Sequence, residues 1–457
     1  MVAQPNLQRQ ATRAKRILRR TKEADLEDVS DPRDENRIKH PLSGVLQLGV
    51  LGMATNARST RTVEVRSTQL DEEVDEMIDL DGRISDNGFG LILRRLEPYQ
   101  LRQALHRSVQ AEWNRNHLRP TELSKSTVAI DGKHLTTLTS DQVRQLVTSR
   151  TELHGEELSV RQLKELYATR FPEVQLREDD DAGLIGVVTV HRATLVSSQA
   201  AVVVDQRSIP GTTSEHGEIT HTLAALFDRY GPTEMIQRVT VDAGNMYRKT
   251  AAKACSEGVD YFGAIKEKSQ GTLYDRAAEW LGDRTAQEAD EAHIETSHGK
   301  TLIYRVWQMK VADGTCGWEG TRQLIRLQRI AVDNDDEEVT VGERYFVSSE
   351  SPDELEALDA YRLARAHWRC ENEGHWTADA IWDEDARRTP WTRDPRGVVN
   401  VGILRVLAIN ILALLRSMSC IRKGDRTVTP SWSQVVEYAV QVLLEPALKT
   451  GAFDEFD

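Results

Sequence analysis

Four short runs rich in β-branched residues constrain the fold most: STVAID (126–131), IGVVTVHR (185–192), AAVVVDQRSI (200–209) and QRVTVD (237–242). Each has strand length, and such side chains pack well on a pleated surface. A helical stretch, THTLAALFDRYG (220–231), precedes the last of them. Strands alternating with helices predict a mixed sheet covered by helices. Three further runs, LIYRVWQMKV (302–311), TRQLIRLQRIAV (321–332) and VGERYFVSS (341–349), read as strands joined by Gly- and Asp-rich turns. Between the first two strands, the charged segment 136–182 carries one amphipathic piece, VRQLKELYATRF (160–171), and reads as an insertion. Helical periodicity marks 41–54 and 85–113 ahead of the sheet, with Ser85 or Asp86 as N-cap and Pro98 as a divider. It returns at 353–380, 398–416 and 431–449.

At 457 residues the chain has room for two or three domains, and 39% hydrophobic with 29% charged residues describes an ordinary globular protein. The most apolar stretch, 400–416, is interrupted by Asn400, Arg405, Asn410 and Arg416, which predicts a core helix and not a membrane span. No apolar signal-peptide pattern opens the sequence, so a cytoplasmic location is expected. Cys255, Cys316, Cys370 and Cys420 stand apart from one another, a spacing that suits reduced thiols and offers no C-x-x-C pair for zinc. A net charge of −13 excludes a protein that coats nucleic acid by bulk charge, but charge is unevenly spread. Arg9, Arg13, Lys15, Arg16, Arg19, Arg20 and Lys22 form a basic arm without an acidic residue, either a phosphate contact or a solvated tail.

Two of the early runs finish on an aspartate, Asp131 in VAID-G and Asp242 in VTVD-AG. A carboxylate at the rim of a sheet has a fixed backbone and can face a ligand, although Asp-Gly is also a common turn pair. The segment HWRCENEGHW (367–376) adds a third acid, with His367, Glu371 and His375 at four-residue steps along a predicted helix and Trp368 beside them. Three carboxylates drawn from two strands and a helix could hold two Mg²⁺ ions for phosphoryl transfer, since Mg²⁺ prefers oxygen ligands. Zinc on the histidines is the rival reading, weakened by the lack of HExxH and by the drift of four-residue steps around a helix. Alternatively, both histidines serve structural hydrogen bonds.

Taken in order, several segments resemble DDE transposases of the ISAs insertion-sequence group, which includes the H-repeat-associated proteins. They are DPRDENRIKHPL (31–42), VAIDGKHL (128–135), EHGEI (215–219), the block 239–275, HGKTLIYRVW (298–307), YFVSS (345–349), ARAHWRCENEGHWTADAIWDEDARR (364–388) and NVGILRVLAINIL (400–412). The resemblance implies a ribonuclease-H-like mixed sheet flanked by helices, with a β-rich insertion and an N-terminal helical module. It implies that Asp131, Asp242 and Glu371 are catalytic and bind Mg²⁺, for which Mn²⁺ can substitute; Glu371 is preferred to Glu373 because it immediately precedes the matching Asn372. Lys133, Lys266, Lys268, His367, Trp368, Asn372 and His375 then contact DNA or support the site.

The corresponding division is 1–120 for the basic arm and helical, DNA-binding module, and 121–265 for the first part of the core, containing the 136–182 insertion. Residues 266–350 form the β-rich insertion, and 351–457 the second part of the core. The implied activity is strand cleavage at element ends and transfer to target DNA, with double-stranded DNA as partner and a homodimer or larger assembly on it. Alternatives are a domesticated DNA-binding descendant or a metal-dependent nuclease without transfer. The sequence departs from the family pattern at Glu267-Lys268-Ser269-Gln270, at Leu302 and in the length of 136–182.

Overall fold

The β-branched runs assemble into one mixed sheet in a computed structural model that describes residues 15–70, 72–80, 82–297, 300–332, 338–384, 391–423 and 426–444. Arg9 and Arg13 of the basic arm, most of the acidic stretch 333–338 and the end of the last predicted helix lie outside the described residues. The strands are β1 (Thr127–Leu138), β2 (Gln175–Asp179), β3 (Gly183–Leu195), β4 (Val202–Ser208), β5 (Arg238–Val241), β6 (Asp260–Ile265), β7 (Glu291–Ser297), β8 (Lys300–Lys310), β9 (Gln323–Val332) and β10 (Glu338–Ser348). Their order is β2-β3-β1-β5-β6-β10-β9-β8-β7, with β4 also paired to β3. Only β1–β5 and β5–β6 pair in parallel; the other ladders of this sheet are antiparallel. The fold is mixed α/β, as expected.

One expectation needs correction: Asp131 does not end its strand. β1 continues to Leu138 because β3 keeps pairing with it, with Asp131 opposite Arg192 and Leu138 opposite Gly186. On its other side the ladder to β5 stops at Ile130 opposite Val241. The sheet therefore opens at Asp131, and the first residue beyond β5 is Asp242. This fork between adjacent parallel strands positions the site.

Two strands had no apolar signature. Among the described residues β2, QLRED, pairs only with β3, and β7, EAHIETS, pairs only with β8. Edge strands tolerate charged residues, which discourage further pairing, so neither shows a hydrophobic run. The segment 136–182 supplies the end of β1, helices Ser140–Arg150 and Val160–Arg170, and β2.

The 85–113 segment divides as predicted, into Asp86–Arg95 and Pro98–Asn114; Ser85 is the cap, accepting a hydrogen bond from Gly88 N. These helices and Leu42–Ala54 pack on the long helix Pro395–Met418. Among the described residues it is the one helix long and apolar enough to cross a membrane, and its most apolar stretch is wholly buried inside the fold. Its polar residues explain why it sits there. Asn400 donates to Leu93 O and Leu96 O, Arg405 pairs with Glu384, and Asn410 bonds both Val203 N and Val203 O. Each of these three residues thus has at least one fixed partner, which ties the helix to its neighbours in one register.

Candidate active site

Asp131, Glu215 and Asp242 each offer a carboxylate oxygen, and the three oxygens lie within 4.8 Å of one another. β1 holds Asp131, whose Oδ1 accepts from Gly132 N at 2.9 Å. Asp242 is fixed in the turn after β5 by Gly244 N and Asn245 N, both at 2.9 Å. Glu215 begins the helix Glu215–Tyr230, which Ser214 caps, and its Oε1 accepts from Asn245 Nδ2 at 2.6 Å. Among the described residues no lysine or arginine forms an ion pair with any of the three; the single partner is His375, whose Nδ1 lies 3.4 Å from Asp131 Oδ2. Burial, then the neighbouring charges of Asp242, Glu371 and Glu215, pushes the Asp131 carboxyl up to about 7.

Glu371 is exposed, lies close enough to raise Asp131 electrostatically, and shares with Asp242 an open cavity of about 510 Å³. Lys266, Arg344, His367 and Trp368 also line it. The predicted continuous helix is broken here. The helix Ala357–His367 passes into a π-helical turn, Cys370–His375, followed by the helix Trp376–Trp382. A π turn inserts extra backbone, so an even four-residue stripe cannot persist through it. Accordingly His367 and His375 are buried while Glu371 faces solvent.

His367 Nδ1 lies 3.2 Å from Thr240 Oγ1 on β5, and His375 lies beside Asp131 on β1. The turn is thereby seated against both strands of the fork. Burial lowers His367 to about 4 and His375 to about 3, so both rings are neutral at physiological pH.

The remaining candidates separate. Trp368 has two guanidinium groups over its ring, Arg344 at 4.8 Å and Arg365 at 5.6 Å from the ring centroid. Lys266 and Lys268 are exposed, but only Lys266 lines the cavity. Lys133 is buried and paired with Asp379. Asn372 is exposed. The histidines belong to no close group of three metal-ligand atoms among the described residues, so the zinc arrangement is not assembled.

The donor set fits a hard divalent cation: three oxygens converge, no fixed cation neutralises them, and the adjoining Asn245 Oδ1 is buried without a hydrogen-bond partner. Sequence reasoning missed Glu215. Although EHGEI stood out, a carboxylate in a helix's first turn is commonly there for the helix dipole, and nothing in the linear sequence joins it to Asp131.

Residues 24–109 match the family described as DDE_Tnp_1-associated. Over 239 residues the chain is 25% identical to “Putative transposase YncI” of Escherichia coli O157:H7, covering 49% of this chain and 56% of that protein. Over 185 residues it is 32% identical to “H repeat-associated putative transposase YhhI” of Escherichia coli K12, covering 38% and 47%. The chain thus matches about half the length of these curated relatives. Over these segments the chain is similar to the DDE transposase-associated family and to putative transposases, one of them of the H-repeat type.

Proposed function

We propose that this chain is a DNA transposase that cleaves strands at the ends of an insertion sequence and joins them to target DNA, using Mg²⁺, or Mn²⁺ in its place, at Asp131, Asp242 and Glu371. The observation that carries the reading is the fork between β1 and β5, which brings Asp131 and Asp242 together beside the cavity that Glu371 lines. The antiparallel β3–β1 pair continued by parallel β5 and β6 supports a ribonuclease-H-like core, interrupted at 266–350 by the β-rich insertion. Residues 1–120 are then the basic arm and a helical, DNA-binding module, and 351–457 the second part of the core.

The carboxylates of Asp131, Asp242 and Glu371 would hold the divalent ions, which when bound supply an activated attacking oxygen and stabilise the leaving one. The backbone N–H groups of Gly244 and Asn245 hold Asp242 in position. His375, neutral in its buried setting, packs against Asp131 without cancelling its charge. Lys266, Arg344 and Trp368 line the cavity where a phosphodiester and its bases would lie, with Arg365 beside the Trp368 ring. Double-stranded DNA is the proposed partner, handled by a homodimer or larger assembly in the cytoplasm.

The test compares wild type with Asp131→Ala on DNA bearing the element's ends, in Mg²⁺, resolving cut from joined product. Wild type is expected to give both, and the variant to be slower by roughly a thousandfold, because losing a metal-holding carboxylate removes several kcal/mol. Equal cleavage by both proteins would remove the proposal. Cut product without joined product would leave a metal-dependent nuclease.

A further inference from the structure

We infer that Glu215 is a cation ligand in this chain, so that Asp131, Glu215 and Asp242 form a divalent-metal position that does not depend on Glu371. The inference rests on the metal-dependent reading above and assigns a fourth carboxylate to the same site.

The alternative role for Glu215 is local. It is the first residue of its helix, where a carboxylate interacts favourably with the helix dipole. That role accounts for the charge but not for its direction. A helix-start carboxylate could point to solvent, whereas Glu215 places an oxygen within 4.8 Å of oxygens from two other acids. Three carboxylates so close repel one another, and among the described residues no lysine or arginine forms an ion pair with them; His375 Nδ1, 3.4 Å from Asp131, is the nearest basic group.

Two independent features fix Glu215 there. A Cβ built on Gly132 would lie 2.4 Å from the Glu215 carboxyl, so glycine beside Asp131 is what lets that carboxyl approach the β1 backbone. Asn245 is 1% exposed; its Nδ2 binds Glu215 Oε1 while its Oδ1 is buried without a partner. The amide that binds Glu215 thus carries a buried oxygen whose partner is missing, which suits a cation held by the adjoining acids.

The test titrates Mn²⁺ into DNA-free protein, by calorimetry and by the metal-induced rise in melting temperature, for wild type, Glu215→Gln, Asp242→Asn, Glu371→Gln and Gly132→Ala. Glu215→Gln is expected to weaken Mn²⁺ binding by at least roughly tenfold and to lose most of the metal-induced rise. Its metal-free melting temperature should not fall, because charge repulsion is relieved. Gly132→Ala, which displaces the Glu215 carboxyl without removing a charge, should weaken binding in the same way. Glu371→Gln should retain this Mn²⁺ position. Unchanged affinity in Glu215→Gln alongside lost binding in Asp242→Asn would overturn the inference and leave the proposed function standing. A lowered metal-free melting temperature with unchanged affinity would reduce Glu215 to a helix-start residue. Absence of Mn²⁺ binding by the wild type would overturn both readings.

Discussion

Glu384 illustrates at the residue scale how the site's surroundings are held. Its carboxylate lies between Arg192, which stands opposite Asp131 in the sheet, and Arg405 of the long helix, each at 2.7 Å and all three buried. Burial alone would raise this carboxyl, but the two guanidinium charges outweigh that and hold it well below the usual range. Asp205 behaves alike: burial is outweighed by the hydrogen bond from His106 and the charge of Arg102. Removing one member of a buried pair strands the other, so Glu384→Gln is expected to cost roughly 3–5 kcal/mol, read from the urea midpoint.

The sign of the pH dependence follows. Both folded pKa values are depressed, so this stability is fully present above the unfolded values of about 3.9 for Asp and 4.3 for Glu. It is lost as the pH falls from there through the folded values. The wild-type midpoint should drop steeply as pH is lowered through about 4, and Glu384→Gln should drop less. Parallel profiles would contradict the pair's role.

At the element scale, the long helix Pro395–Met418 shows what polar interruptions accomplish. Asn410 satisfies both backbone groups of Val203 on β4. Asn410→Leu should therefore destabilise by about 2–4 kcal/mol in denaturant melts, since each buried group left unpaired costs about 1–3 kcal/mol. A loss within a few tenths of a kcal/mol would deny that these bonds anchor the helix.

The reading of 400–416 as a core helix came directly from Asn400, Arg405 and Asn410, and the division at Pro98 from proline's effect on backbone geometry. Other features were illegible for physical reasons. β2 and β7 are polar edges without a hydrophobic period, β1 outlasts its apolar run because β3 pairs with it, and the π turn at Cys370–His375 depends on how the chain seats against β1 and β5. Asp131, Asp242 and Glu371 could be nominated from type and spacing. Glu215 could not, because only folding brings it to Gly132.

At the scale of the whole molecule, a net charge of −13 means that any DNA-binding surface has to be local. Lys266, together with Arg344 and Arg365 on the Trp368 ring, places positive charge beside a cavity that Asp242 and Glu371 also line. Such a juxtaposition suits a phosphodiester held by basic groups at its flanks and by divalent ions over the carboxylates. The proposed activity therefore requires a cation at the fork between β1 and β5. Anomalous X-ray scattering from crystals grown with Mn²⁺ measures this directly. A strong peak is expected within coordination distance of both the Asp131 and Asp242 carboxylates; clear density for these side chains with no anomalous peak between them would contradict a metal site at the fork.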